Sequence, residues 1–297
     1  MAVAERTFAA ARGQAGSGRW ARRLAVYAGY WVASALFAFP FVWALSGSLK
    51  TPYQVEEFPP RWIPDPVVWG NYAQIWQVVP LGRFLLNTVL ISVLSLLGQV
   101  TTAAMVAYGF ARFRFPGRDK LFLLVLSSLM LPMHVTLIPT FVMFYQVGWI
   151  DTFLPLIVPS YFGGGAFAIF LLRQFFRTLP LDLDEAAKID GASYPRIFWS
   201  ILLPLSKPGL LALAVLGFLA DWEDFLRPLI YLQSKEKLTL SVGLRFLAAQ
   251  AGVALPGEPT THLLMAASVV ATVPPILLYI FVQRQLVQGI ALTGSKG

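Results

Sequence analysis

Hydrophobic positions along this chain come in long unbroken runs, not in the alternating or one-faced patterns of soluble domains. Stretches free of Asp, Glu, Lys and Arg cover Leu24–Leu49, Phe84–Ala111, Leu121–Ile150, Thr152–Leu172 and Pro259–Gln283, each at least 21 residues long. Crossing about 30 Å of hydrocarbon at about 1.5 Å per residue takes roughly 20 helical residues. Five membrane-spanning helices are therefore predicted. A sixth is predicted from Pro208–Ala220, which has only 13 uncharged residues and continues through Asp221-Trp222-Glu223-Asp224-Phe225-Leu226-Arg227-Pro228 to Leu232. Ionisable groups are costly in lipid and turn toward a bundle interior or an aqueous cavity. The spans are placed at 24–45, 84–107, 121–144, 153–173, 208–232 and 262–283, with a tail at 1–23, a large connection at 174–207 and a second tail at 284–297. The fold class is thus all-α, a polytopic membrane protein with six transmembrane helices.

Composition agrees. Of 297 residues, 57% are apolar and 13% charged, against about 45–50% and 25% in a soluble domain. The net charge of +8 invites a nucleic-acid reading, so the placement of the charges has to decide. With the N-terminus in the cytoplasm, 16 of the 23 basic residues fall on the cytoplasmic side and 7 on the other. That asymmetry is the positive-inside bias. The charge is an orientation signal, no nucleic-acid partner is implied, and both termini are expected in the cytoplasm. Met1–Gly18, rich in Ala, Gly and Arg, reads as a disordered tail. Leu24–Leu45 is too long for the apolar core of a signal peptide and lacks a cleavage site before Lys50, so it reads as a retained first helix.

The chain has no cysteine, which removes disulfides, thiolate metal sites and Cys nucleophiles together. His134 and His262 lack an HExxH spacing, and His134 reads as a packed or hydrogen-bonded histidine. No GxxxxGK[ST] loop cradles a nucleotide, so the chain itself is not expected to hydrolyse ATP. GxSxG is absent too, and Gly163-Gly164-Gly165 lies inside an apolar run, where it permits close packing or a bend. Neither an enzyme nor a resident metal or cofactor is predicted.

The cytoplasmic connection carries the sharpest pattern. Pro180 and Asp182 precede a short helix with acidic residues in its first turn, favourable to the helix dipole. Gly191 stops it, and Pro195 suits the first turn of a second helix with Ser193 or Tyr194 at its cap. Ala186, Ala187, Gly191 and Ala192 form a small-residue patch that another protein could approach closely. The spacing of Glu185-Ala186-Ala187, three residues, Gly191, and later Ile201, Leu203 and Pro204 resembles the EAA loop of ABC-importer permeases. Phe58–Pro64, Ala107–Arg118, Leu131-Pro132, Ile138-Pro139, Phe170–Arg173 and the C-terminal tail look like the sugar-importer, maltose-type branch of that family.

The resemblance implies a cell-membrane permease subunit that pairs with a second permease, two cytosolic ATPase subunits and an extracytoplasmic solute-binding protein. ATP and Mg would be bound by the ATPase subunits. It implies ATPase coupling through Glu185, Ala186, Ala187, Asp190, Gly191 and Ala192, with Ala186 and Ala187 as the close-approach face. The outer loop Gln233–Glu258 would probe the binding protein, and the tail after Arg284 would sit against the ATPases.

Trp222–Leu229 resembles the family's Trp-Asn-Asp-Phe-Leu-x-Pro-Leu segment, with Glu223 where Asn is usual. Two readings stand side by side. In one, Glu223 or Asp224 pairs with Arg227 along a helix face, with Asp221 lying off that face. In the other, Trp222, Glu223, Asp224 and Phe225 line the substrate path, Trp222 stacking on a sugar and the carboxylates accepting its hydroxyls. The extra carboxylate also suits a cationic or amine-bearing solute, and the same importer type with polyamine, glycerophosphodiester or another cargo stands beside sugar. An ion-driven secondary transporter is the rival of another class, but beyond Asp221–Asp224 the chain offers no proton relay or inverted repeat.

Overall fold

Uncharged runs become helix because hydrocarbon offers the backbone no hydrogen-bond partner but itself, and no strand occurs among the described residues. The computed structural model describes the backbone of residues 2–249 and 259–294, and the side chains of 20, 22–249 and 259–283. The helices are α1 (Ala2–Ser48), α2 (Pro52–Glu56), α3 (Gly70–Val78), α4 (Leu81–Arg112), α5 (Arg118–Ser127), α6 (Met133–Gln146), α7 (Leu154–Ile157) and α8 (Ala166–Thr178). They continue as α9 (Asp182–Ile189), α10 (Tyr194–Ile197), α11 (Leu203–Leu205), α12 (Lys207–Trp222), α13 (Leu226–Tyr231), α14 (Leu240–Ala249) and α15 (Thr261–Gly294). Part of the expected outer loop, 250–258, and the last three residues lie outside the described residues.

Four segments are long and apolar enough to cross a membrane: Arg22–Ser48, Leu81–Arg112, Leu154–Thr178 and Thr261–Gln283. Two bent pairs raise the number to six when each is counted as one crossing. The segment read as a disordered tail is instead the start of α1. Its alanines are strong helix formers and extend the helix of the first run toward the N-terminus.

Three expected spans are not continuous helices. The third breaks at Leu131-Pro132, where α5 with its following 3₁₀ turn meets α6 at 95°. Proline holds the residue before it extended, and Leu131 sits at φ −79°, ψ 115°. The fourth unwinds at Gly163, Gly164 and Gly165, all with positive φ. Gly164 is pressed so close to α4 that a Cβ would stand 2.4 Å from the Gln99 carbonyl oxygen. Only glycine suits both that backbone and that approach.

The fifth expected span, 208–232, is α12 alone, interrupted at Glu223–Phe225 before α13. A π turn at Phe198–Leu202 and the short α11 precede it, at 76°. Pro204 has no N–H to continue the ladder there.

α4 is the central rod. Two apolar cores meet along it, one around Phe84, Ile91, Trp222, Tyr231, Val242 and Ala266, the other around Ala104, Ala107, Leu172, Phe176, Leu202 and Leu213. Small residues on the C-terminal half of α4 let α8 and α12 pack closely. Loops expected on one side of the membrane bond to each other. Asp151 accepts the backbone N–H groups of Gln233 (3.0 Å) and Ser234 (2.9 Å) and the Lys237 ammonium (3.0 Å). The Ser234 hydroxyl and backbone donors, first among its neighbours, hold the Asp151 carboxyl well below the usual carboxylate range.

Candidate functional site

The hairpin expected on the cytoplasmic side begins with α9, whose first turn holds Asp182, Asp184 and Glu185 and whose last holds Lys188. Both suit the helix dipole. Its end is a Schellman motif: the Ala192 N–H reaches the Ala187 carbonyl (2.9 Å) and the Gly191 N–H the Lys188 carbonyl (3.0 Å). Gly191 sits at φ +80° with open space where a Cβ would stand, so its glycine is needed for backbone conformation and not for room. Ser193, and not Tyr194, caps α10.

A helix advances about 100° per residue, so the motif divides between faces. Asp184 and Ala187 point inward and are 6% and 7% exposed. Glu185, Ala186, Ile189 and Asp190 point outward, and Ala192 is half-buried. Ala186 and Ala187 therefore do not share a close-approach face: only Ala186 is available, while Ala187 packs within its own chain. Ile189 is 86% exposed, a large apolar side chain left open at the helix end. The sequence showed Ile189 but gave no reason to single it out until the inward face was known.

Arg112, the last residue of α4, holds this hairpin. Its Nε lies 2.8 Å from Asp184 Oδ2, off the line of its own N–H, so the contact is an ion pair without an aligned hydrogen bond. Nη1 and Nη2 both donate to the Leu179 carbonyl at 3.2 Å. The two charged side chains are 4% and 8% exposed. Beyond α9, the Phe113 ring meets Tyr194 edge-on at 5.0 Å. Arg112 read in sequence only as one positive charge among many. The signal that could have found it is Asp184 falling on the same helix face as Ala187.

The second candidate is the break after α12. Arg227 Nη2 donates to Asp221 Oδ1 (3.0 Å) and Nε to Asp224 Oδ2 (2.6 Å). Asp224 Oδ1 also accepts the Arg227 backbone N–H (3.3 Å). Asp221 was expected off the Arg227 face; that holds for a continuous helix, but the turn at Glu223–Phe225 swings Arg227 back over it. Glu223 is exposed and stands outside this network. Trp222 is 6% exposed, stacks on Phe218 with centroids 5.3 Å apart, and donates its indole N–H to the Ala271 carbonyl (3.2 Å). It is a wall and not an open stacking platform. Phe225 is exposed at the break.

A cavity of about 630 Å³ opens beside this wall, lined by Trp222, Glu223, Ser241, Ser268, Thr272 and Tyr279 among others. Another of about 440 Å³ is lined by Thr140, Phe144, Trp149, Arg227 and Tyr231. His134, expected to be packed or hydrogen-bonded, is exposed at the start of α6 and so is not packed in the core. No group of three or more His, Asp or Glu side chains placed to hold a metal occurs among the described residues.

Residues 99–292 match the family described as binding-protein-dependent transport system inner membrane component. The chain is 35% identical over 262 residues to the sn-glycerol-3-phosphate transport system permease protein UgpE of Yersinia pestis bv. Antiqua (strain Antiqua), covering 86% of this chain and 91% of that one. It is 33% identical over 253 residues to the diacetylchitobiose uptake system permease protein NgcG of Streptomyces coelicolor, covering 85% and 82%. A chain in the crystal structure of a bacterial ABC transporter involved in the import of the acidic polysaccharide alginate has the same fold, with TM-score 0.76 and 22% identity over 88% of this chain and 94% of that one.

Proposed function

The chain belongs to the family of binding-protein-dependent transport system inner membrane components, the permease subunits of ABC importers, and from that membership we propose how its two sites divide the work. α9 docks on a cytosolic ATPase subunit, and the cavity beside Glu223 is part of the path along which cargo crosses. The observation that carries this reading is Ile189, 86% exposed next to Asp190 at the end of a helix whose other face is locked inside the chain. An exposed anchor on a rigidly held short helix is what a partner's groove requires.

A second permease completes the pathway, two ATPase subunits bind ATP and Mg and hydrolyse the nucleotide, and an extracytoplasmic binding protein delivers cargo. The subunit sits in the cytoplasmic membrane with both termini inside, following the basic residues. The cysteine-free chain makes this directly testable. A membrane-impermeant thiol reagent reaches a cysteine at Ser193 from the cytoplasmic side only and one at Phe58 from the opposite side only. Labelling of both from one side sinks the topology.

The cargo is a sugar or oligosaccharide. Glu223, Ser241, Ser268, Thr272 and Tyr279 surround an apolar floor of Trp222, Pro275 and Ile276, which suits a solute with hydroxyl edges and apolar faces. Glu223→Gln replaces a charged hydrogen bond worth about 1.5–3 kcal/mol by a neutral one worth about 0.5–1.5 kcal/mol, so the transport KM is expected to rise about five- to tenfold while basal ATP hydrolysis stays unchanged. An unchanged KM removes this cavity from the path. Failure of loaded binding protein to stimulate ATP hydrolysis in the native complex removes the permease reading itself. An amine-bearing cargo is the second reading, favoured by Glu223 standing outside the Arg227 network. It predicts that neutral sugars do not compete in the same assay.

A further inference from the structure

α4 is fastened at both ends. At its outer end the Asn87 amide donates to the Glu236 and Leu238 carbonyls (2.8 and 3.0 Å), and Thr88 Oγ1 accepts the Leu240 N–H (2.8 Å). At its inner end the Arg112 guanidinium holds the Leu179 carbonyl just before α9 and the Asp184 carboxylate within it. α4 is 32 residues long without an internal proline, and from Thr88 to Arg112 it spans about 36 Å of helix. Ser95 and Thr102 bond to Ser160 along the way, at 2.7 and 3.1 Å, and Gln99 to the Gly164 carbonyl at 3.2 Å.

We propose that Arg112 and Asp184 are positioning residues that lock the docking helix to α4, so that α4 carries movement of α9 as one rigid strut to the outer segment 236–240. A buried ion pair adds little net stability over a well-packed apolar pair. What it adds here is a restraint on register: the guanidinium holds the Leu179 carbonyl on two nitrogens and keeps the Asp184 carboxylate at ion-pair distance from the third, which narrows the placements of α9 on the end of α4. α9 also contributes Ala187 to the same inward face, next to Asp184 on the helix wheel. The inference rests on α9 being the ATPase-docking helix.

The test uses the assembled importer in proteoliposomes. Spin labels on cysteines at Arg83, near the outer end of α4, and at Asp182, at the start of α9, are measured without nucleotide and with ATP trapped. The Arg83–Asp182 distance is expected to stay within the width of its own distribution, while the Asp182 label moves relative to the second permease. A shift in the Arg83–Asp182 distance as large as that between permeases overturns the strut. The double variant Arg112→Met with Asp184→Leu removes both charges and keeps apolar packing. It is expected to assemble and hydrolyse ATP at the basal rate, to broaden that distance, and to lose about tenfold of the stimulation by loaded binding protein. Arg112→Lys, which keeps the ion pair without the fork, recovers part of it. Full stimulation in the double variant overturns the proposal. Should that variant not assemble, the distance in the otherwise native complex still decides. If the native complex neither holds ATPase nor responds to ATP, it is the docking assignment that fails.

Discussion

Ile189→Asp abolishes capture of the ATPase subunits while leaving the permease folded. Ile189 is 86% exposed, so the substitution removes nothing from the chain's own core. In a docked interface it loses the burial of an isoleucine, about 1.5–3 kcal/mol, and adds the desolvation of a carboxylate without a partner. A total near 4 kcal/mol corresponds to roughly a thousandfold in affinity. Asp190 already follows it at the helix end, where a second acid also opposes the dipole. Ile189→Val, by contrast, removes one methyl group at about 0.5–1.5 kcal/mol and still co-purifies with the ATPase. Co-purification of the affinity-tagged chain from cells expressing the whole importer reads both. Retention of the ATPase by Ile189→Asp shows that α9 docks through another face or not at all.

Arg227→Met is expected to have the largest effect on stability. Arg227 is the shared cation of Asp221 and Asp224, whose side chains are 11% and 12% exposed. Without it, two mostly buried carboxylates face each other in a membrane-embedded turn. Removing one partner of a buried pair costs about 3–5 kcal/mol. The low end applies, because a third of the Arg227 side chain is exposed. On the scale of soluble domains this is an apparent Tm lower by about 6–12 °C. The companion variant adds Asp221→Asn and Asp224→Asn, which removes the uncompensated charges and recovers most of the loss. Thermal unfolding of the purified complex distinguishes the two. If the triple variant is as unstable as Arg227→Met alone, the guanidinium acts through packing and the charge account is wrong.

How much of this was legible beforehand differs from element to element. Glu185 and Ala186 were placed on a short helix stopped by Gly191, as the structure has them, because capping and dipole preferences act within a few residues. The inward turn of Ala187 was not legible, since both of two adjacent alanines fit the spacing and only the folded chain, which buries Ala187 and leaves Ala186 exposed, selects between them. Asp221 was assigned off the Arg227 face by counting along a continuous helix. The count was sound for a helix, and the break at Glu223–Phe225 made it inapplicable. Arg112 and Asp184 lie far apart in the chain, and neither carries a local mark of the other.

The apolar runs determined the class, and the placement of the few charges set the expectation of two sets of loops, because hydrophobic length and charge asymmetry are properties of the chain read in one dimension. The spacing from Glu185 to Pro204 determined which loop to watch. Run length measures how much chain a membrane accepts, not whether that chain is one rod. Inside a bundle, unwound backbone is tolerated where neighbouring side chains complete its hydrogen bonds, as Gln99 does for Gly164. The return of Arg227 over Asp221 and the grip of Arg112 on Asp184 were therefore decided by tertiary contact, whereas the kinks at Leu131-Pro132 and Gly163–Gly165 join a local proline or glycine preference to the packing that fixes it.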